Sequence, residues 1–285
     1  MINMIRADFY RLVRSKGFYI ALLIMLMMIG ISIYLVQPGY VGLSVSIGDP
    51  EMENTPSMQN ELANMSYEEI QTLSASDFRD IMLKTKGYEL DRDMLATNIN
   101  LYYIFIFFAV IILTTDFSGS SIKNTLSSAI SKKKYYVSKL IFISLCCIIV
   151  FFLNTYISYF ANVVFNGKNL ASSLETVTKI SLLQLPSMLA LASILTGIGF
   201  MVKRTALFNT ITIPLILVFQ MVLDTAASIF KIKDEYLHYE FQVMIGKLAN
   251  NPSDGFISHS FLVCMAVIIV FNLLGYLSFK KAEIR

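Results

Sequence analysis

The chain has 285 residues, of which 55% are hydrophobic and only 15% charged, with a formal net charge of +3. A mean hydropathy of +0.62 and apolar residues gathered in long blocks exclude a soluble globular domain, in which charged residues make up about 25%. They give instead an all-α integral membrane protein, a single transmembrane unit over residues 1–285 with no nucleic-acid partner expected.

Met1–Gly17 is amphipathic, with Ile5, Phe9, Leu12 and Val13 apolar and Arg6, Arg14 and Lys16 around them. A basic helix of this kind is expected to lie on the anionic inner leaflet. The first span is Phe18–Val36, ended by Gln37-Pro38-Gly39. Its apolar run exceeds the roughly 7–15 residues of a signal-peptide core, and no small-x-small cleavage site follows, so it stays as an anchor. Residues 37–98 form an outer insertion. Loop composition persists through Pro56; then Leu62, Met65, Ile70, Leu73 and Phe78 recur at helical spacing, and Ser66–Glu69 has the shape of a capping box. A small helical extracellular cap between the first two spans is expected, either recognising a substrate or serving as a solvated loop.

The second span, Ile99–Thr115, ends at Asp116. Residues 116–139, DFSGSSIKNTLSSAISKKKYYVSK, are too polar to span and form a cytosolic loop with helical stretches and a basic cluster at Lys132–Lys134. The third span, Leu140–Phe165, carries Asn154, Ser158 and Asn162 at i, i+4 and i+8, with Thr155 beside them. That polar face either lines a translocation surface or makes interhelical hydrogen bonds. The fourth span, Ile180–Val202, contains Pro186 and a run of small residues from Ala190 to Gly199 suited to close helix approach, and Lys203-Arg204 closes it. The fifth, Ala206–Leu223, contains Pro214, and its Gln220 shares an outer-end face with Asp224. Between it and the last span, Tyr236, Leu237, Phe241, Met244, Ile245 and Leu248 form an apolar stripe that either lies at the interface or dips back into the membrane. The sixth span, Ser260–Phe279, is stopped by Lys280-Lys281.

Charge bias orients this set of about six spans. With the N-terminus inside, the inner segments hold Arg6, Arg11, Arg14, Lys16, Lys123, Lys132, Lys133, Lys134, Lys139, Lys203, Arg204, Lys280, Lys281 and Arg285. These 14 bases face three acids, Asp8, Asp116 and Glu283, whereas the rest of the chain keeps nine of its 23 bases and 17 of its 20 acids. Both termini are therefore expected in the cytosol. Cys146, Cys147 and Cys264 all fall inside apolar spans without metal-ligand spacing. Neither H-E-x-x-H nor G-x-x-x-x-G-K-[ST] occurs, so no catalytic residue or ATP-binding loop is expected.

The inner loop resembles the signature region of the type-two ABC transporter permeases, the membrane subunits of ATP-binding-cassette exporters. The matching residues are Asp116-Phe117, Gly119, Lys123-Asn124-Thr125, Leu126-Ser127, Ser131-Lys132, Tyr135-Tyr136 and Lys139. The chain departs from the family in having Asp116 where Glu is commoner, Ser120 after Gly119, and no proline near residue 131. The resemblance implies that Asp116, Phe117, Gly119, Lys123, Asn124, Thr125, Tyr135 and Lys139 couple the chain to an ATPase, through a short helix docked on that partner. It further implies two copies of a nucleotide-binding subunit holding ATP and magnesium, none bound by this chain. A second permease, identical or paralogous, would complete the pathway in a bacterial cell membrane, with Asn154, Thr155, Ser158, Asn162 and Gln220 as pathway-lining residues. The long outer insertion is similar to that of the bacteriocin and antimicrobial-peptide branch. The alternatives are a non-transporting sensor or accessory subunit and an ion-coupled secondary transporter, the latter disfavoured because no span carries an ionisable group at its centre.

Overall fold

The computed structural model describes residues 2–35, 95, 98, 101–118, 122, 130–168, 171–231, 239–249 and 252–281. The outer insertion therefore lies, apart from Leu95 and Asn98, outside the described residues, as do Gly119, Lys123, Asn124 and Thr125.

The described residues are helical and contain no strand. Helix α1 (Ile2–Arg14) meets α2 (Lys16–Leu35) at a bend of 67°. Ser15 makes the corner: its Oγ donates to the Leu12 carbonyl at 2.9 Å and accepts from the Phe18 N–H at 3.2 Å, closing one helix and capping the next. After α3 (Leu101–Ala109) come a π-helical turn at Val110–Thr114 and α4 (Thr115–Ser118). Helix α5 runs over Lys132–Asn166, α6 over Leu174–Val202, α7 over Thr205–Phe230, α8 over Phe241–Ala249 and α9 over Asp254–Lys281. Serines start three of these, Ser131 accepting from Lys134 N–H, Ser173 from Thr176 N–H and Ser253 from Phe256 N–H.

A helix thus stands at each expected span. Three of them, in α5, α6 and α9, are long and apolar enough to cross a membrane by themselves, and the bent α1–α2 pair makes a fourth if counted as one span. Ile104–Thr114 and Thr205–Leu215 are shorter apolar stretches. The expected boundary of the third span moves: α5 starts at Lys132 rather than near Leu140, so the last two turns of the expected cytosolic loop belong to the helix itself.

Helix α6 is the centre of the bundle, with 72% of its apolar window buried against 17% for α9. Its small residues serve packing within this chain. A methyl group on Gly197 would lie 2.6 Å from the Phe271 carbonyl oxygen, and one on Gly275 only 2.8 Å from Gly197 Cα. Two glycines therefore let the α6 and α9 backbones touch where they cross. The opposite face of α9 presents Leu262, Ile269, Leu273 and Leu277 outward, as expected for a helix in contact with lipid. Helix α8 buries Met244, Ile245 and Leu248, so this part of the apolar stripe between the fifth and sixth spans packs into the bundle; Tyr236 and Leu237 lie outside the described residues.

Candidate functional site

Four charged side chains from three segments meet at one end of the bundle. Asp8 and Arg11 are one helical turn apart on α1, and Arg11 Nη2 lies 2.5 Å from Asp8 Oδ1. Arg11 Nη1 donates to Oδ1 of Asp116 on α4. Tyr135 and Lys139, one turn apart on α5, reach the same carboxylates. Tyr135 donates its hydroxyl proton to Asp116 Oδ2 at 2.6 Å, and Lys139 Nζ lies 2.5 Å from Asp116 Oδ2 and 2.6 Å from Asp8 Oδ1. Lys139 also donates to the Ile112 carbonyl at 3.2 Å and passes 5.4 Å from the Tyr135 ring centre. Ile112 belongs to the π turn, so the main-chain acceptor that Lys139 reaches lies where the helix departs from α register.

Asp8, Asp116, Tyr135 and Lys139 are all buried, and Arg11 is 39% exposed. Taking single charges out of water costs several kcal/mol each, about 20 kcal/mol in the idealised limit, so such groups persist only when paired and hydrogen-bonded. Two carboxylates alternate here with two cations, and the formal charge cancels. Burial pushes the Asp116 carboxyl upward, but the Lys139 charge and the Arg11 hydrogen bond outweigh it and hold the group below the usual aspartate range. Burial likewise opposes the Arg11 charge, and the two aspartates more than restore it. Asp8 Oδ2 has no hydrogen-bond partner among the described residues.

An aromatic layer adjoins the charges. Phe200 of α6 packs 5.7 Å from Phe117, 4.5 Å from Tyr136 and 4.9 Å from Phe279, centre to centre. Tyr136 donates to the carbonyl and side-chain oxygens of Asn272, each at 3.0 Å.

Of the residues expected to couple the chain to an ATPase, Asp116, Phe117, Tyr135 and Lys139 come together inside the bundle. Asp116, Tyr135 and Lys139 are 3%, 1% and 2% exposed, so their side chains pack within the bundle. Helix α1 is amphipathic as expected, with Leu12 buried and Ile5 packed against the core while Arg6 and Arg14 are exposed; Asp8 is buried as well, and Phe9 is 59% exposed.

No protein family, curated protein or solved structure matches this chain.

A second polar assembly joins α5, α6 and α8. Asn154 Nδ2 donates to Asn98 Oδ1 at 2.9 Å, and Asn98 Nδ2 donates to Gln184 Oε1 at 2.9 Å. Gln184 Nε2 then donates to the Leu95 carbonyl at 3.1 Å and the Ile245 carbonyl at 2.9 Å. The expected pathway face of α5 is thus turned toward other helices: Thr155, Ser158 and Asn162 are buried and Asn154 partly so. The Gln220 side chain lies outside the described residues. Gln184 and Asn98 carry no local sequence signal, because a lone amide in an apolar run has no periodicity to expose it.

Proposed function

We propose that the chain is the membrane-spanning permease subunit of an ATP-binding-cassette exporter, moving a peptide or another amphipathic compound with ATP hydrolysed on a separate subunit. The observation that carries this reading is the four-charge cluster. Asp116 and Lys139 bracket the loop that resembles the coupling segment; Asp116 is ion-paired to Arg11 of α1, Lys139 to Asp8 of α1, and the two to each other. A push on the loop is thereby delivered to three helices at once instead of being absorbed at a hinge. That is the mechanical property a coupling element needs. An ion-coupled transporter is the weaker reading, because the buried charges sit near helix ends and neutralise one another.

The test replaces residues 123–129 with a glycine–serine stretch, leaving Tyr135 and Lys139 in place. Loss of co-purification with a nucleotide-binding subunit, with the fold retained, is the expected result. Retained association would remove the coupling assignment. For the cargo, cells lacking the protein are expected to become more sensitive to at least one cationic antimicrobial peptide, and an unchanged response across a panel would count against peptide export.

A further inference from the structure

Beyond the charge cluster, the same end of the bundle gathers bases from three separate chain segments. Lys132, at the start of α5, donates from Nζ to the Lys280 carbonyl near the end of α9 at 3.0 Å. Lys203, in the two-residue turn between α6 and α7, is close enough to Lys132 that, after partial burial, the neighbouring charge lowers its pKa. Lys133, Lys134, Arg204, Lys280 and Lys281 are exposed around this junction. Among the described residues, the two acids at this end of the bundle, Asp8 and Asp116, are buried and already bonded to Arg11 and Lys139; Glu283 lies outside the described residues. Arg204 precedes the first residue of α7 and gives it no side-chain cap, so the first N–H groups of that helix add positive potential on the same side.

Three features say what such a site holds. Exposed Leu277 and Leu273 precede Lys280 by one to two turns on α9, and exposed Leu207 and Ile211 follow Arg204 by one to two turns on α7. The bases therefore stand at the edge of a lipid-facing apolar surface, within about 5–10 Å along each helix. Tyr276, partly exposed and 5.6 Å from the buried Tyr136, lies one turn inside Lys280, where interfacial tyrosines belong. Lys203 itself has a positive φ of 56°, a conformation that favours glycine, so here a lysine is held at a position where its backbone is strained.

We propose that the junction of α5, the α6–α7 turn and the end of α9 is a binding site for the phosphate headgroup of an anionic phospholipid. Lys203 and Lys280 contact the phosphate, Lys132 fixes the two helix ends together, and Lys133, Arg204 and Lys281 form the rim. A basic pocket between helix ends at headgroup depth is a recognised geometry for such lipids. A soluble acidic protein would need the charges but not the apolar border, which favours lipid.

The experiment compares thermal unfolding of the full chain in nanodiscs of phosphatidylcholine and in discs containing phosphatidylglycerol, with native mass spectrometry counting retained lipid. The anionic lipid is expected to raise the midpoint by about 5 °C, with one or more phosphatidylglycerol molecules retained. Lys203→Gly is the decisive variant, because glycine suits the backbone there. It should match or exceed the parent in phosphatidylcholine yet lose most of the anionic-lipid shift, as should Lys280→Gln. Equal midpoints in the two lipids, or a full shift retained by Lys203→Gly, would overturn the proposal. Inorganic phosphate reproducing the shift would assign the site to free anions, and displacement of the lipid by an acidic polypeptide would assign it to a protein partner; either result overturns the headgroup reading.

Discussion

Lys139 is the residue on which the charge cluster turns: like Arg11 it touches both carboxylates, but it does so while buried, whereas Arg11 is partly exposed. Lys139→Ala leaves Asp8 and Asp116 with only the half-exposed Arg11 between them. Loss of one partner from a buried ion pair costs about 3–5 kcal/mol, and chemical unfolding in detergent should show a loss of that order. Arg11→Ala should cost less, because its guanidinium is 39% exposed and solvent screens it. Combining Lys139→Gln with Asp8→Asn removes one charge of each sign, so the double variant is expected to be more stable than the sum of the two single losses predicts. The pH dependence has a definite sign. Asp116 is held below its ordinary value, so its contribution is complete above about pH 4 and drains away only as the pH falls below that, through the depressed value. Thermal stability from this group should be flat between pH 5 and 8 with an acid decline beneath, and Asp116→Asn should shrink that decline. A decline of unchanged size would exclude Asp116 as its source.

Among the elements, the crossing of α6 and α9 depends on backbone contact. Gly197→Ala drives a methyl group against the Phe271 carbonyl, and backbone cannot step aside as a flexible side chain can. A loss of about 1–3 kcal/mol or more is expected from such overpacking. Gly246→Ala on α8 is the control, since a Cβ there meets nothing within 4 Å. It should gain a few tenths to about 1 kcal/mol from helix propensity. Equal effects at both positions would remove close approach as the reason for Gly197. The helices themselves were legible from their apolar blocks, and the small-residue run from Ala190 to Gly199 does mark a tight contact. What could not be read is which face each helix turns inward. The residues Ile5, Phe9 and Leu12 suggest an apolar stripe on α1, yet the ion pairs rotate Asp8 inward and leave Phe9 outside. The start of α5 is hidden in the sequence for a related reason. Three consecutive lysines look like loop, but Ser131 caps the helix before them and Tyr135 and Lys139 find partners inside.

At the scale of the whole molecule, the cluster unites residues 105 and 131 positions apart, a proximity that no local pattern encodes. The sense in which the helices cross is different, because it follows from charge counts and can be checked directly. Lys133 and Arg204 lie at the end of the bundle that holds the charge cluster, whereas Glu175 begins α6 and Asp254 begins α9 at the opposite ends of those helices. All four are exposed, and the native thiols Cys146, Cys147 and Cys264 are buried, which gives a quiet background for labelling. In intact cells a membrane-impermeant maleimide should modify Glu175→Cys and Asp254→Cys but not Lys133→Cys or Arg204→Cys. The latter pair should react only after the membrane is opened. Labelling of Lys133→Cys and Glu175→Cys from one side would mean that α5 does not cross, and would place the loop over residues 119–131 out of reach of a cytosolic ATPase. The reverse pattern, with Lys133→Cys modified in intact cells, would invert the molecule and remove both the coupling reading and the inner-leaflet headgroup site together.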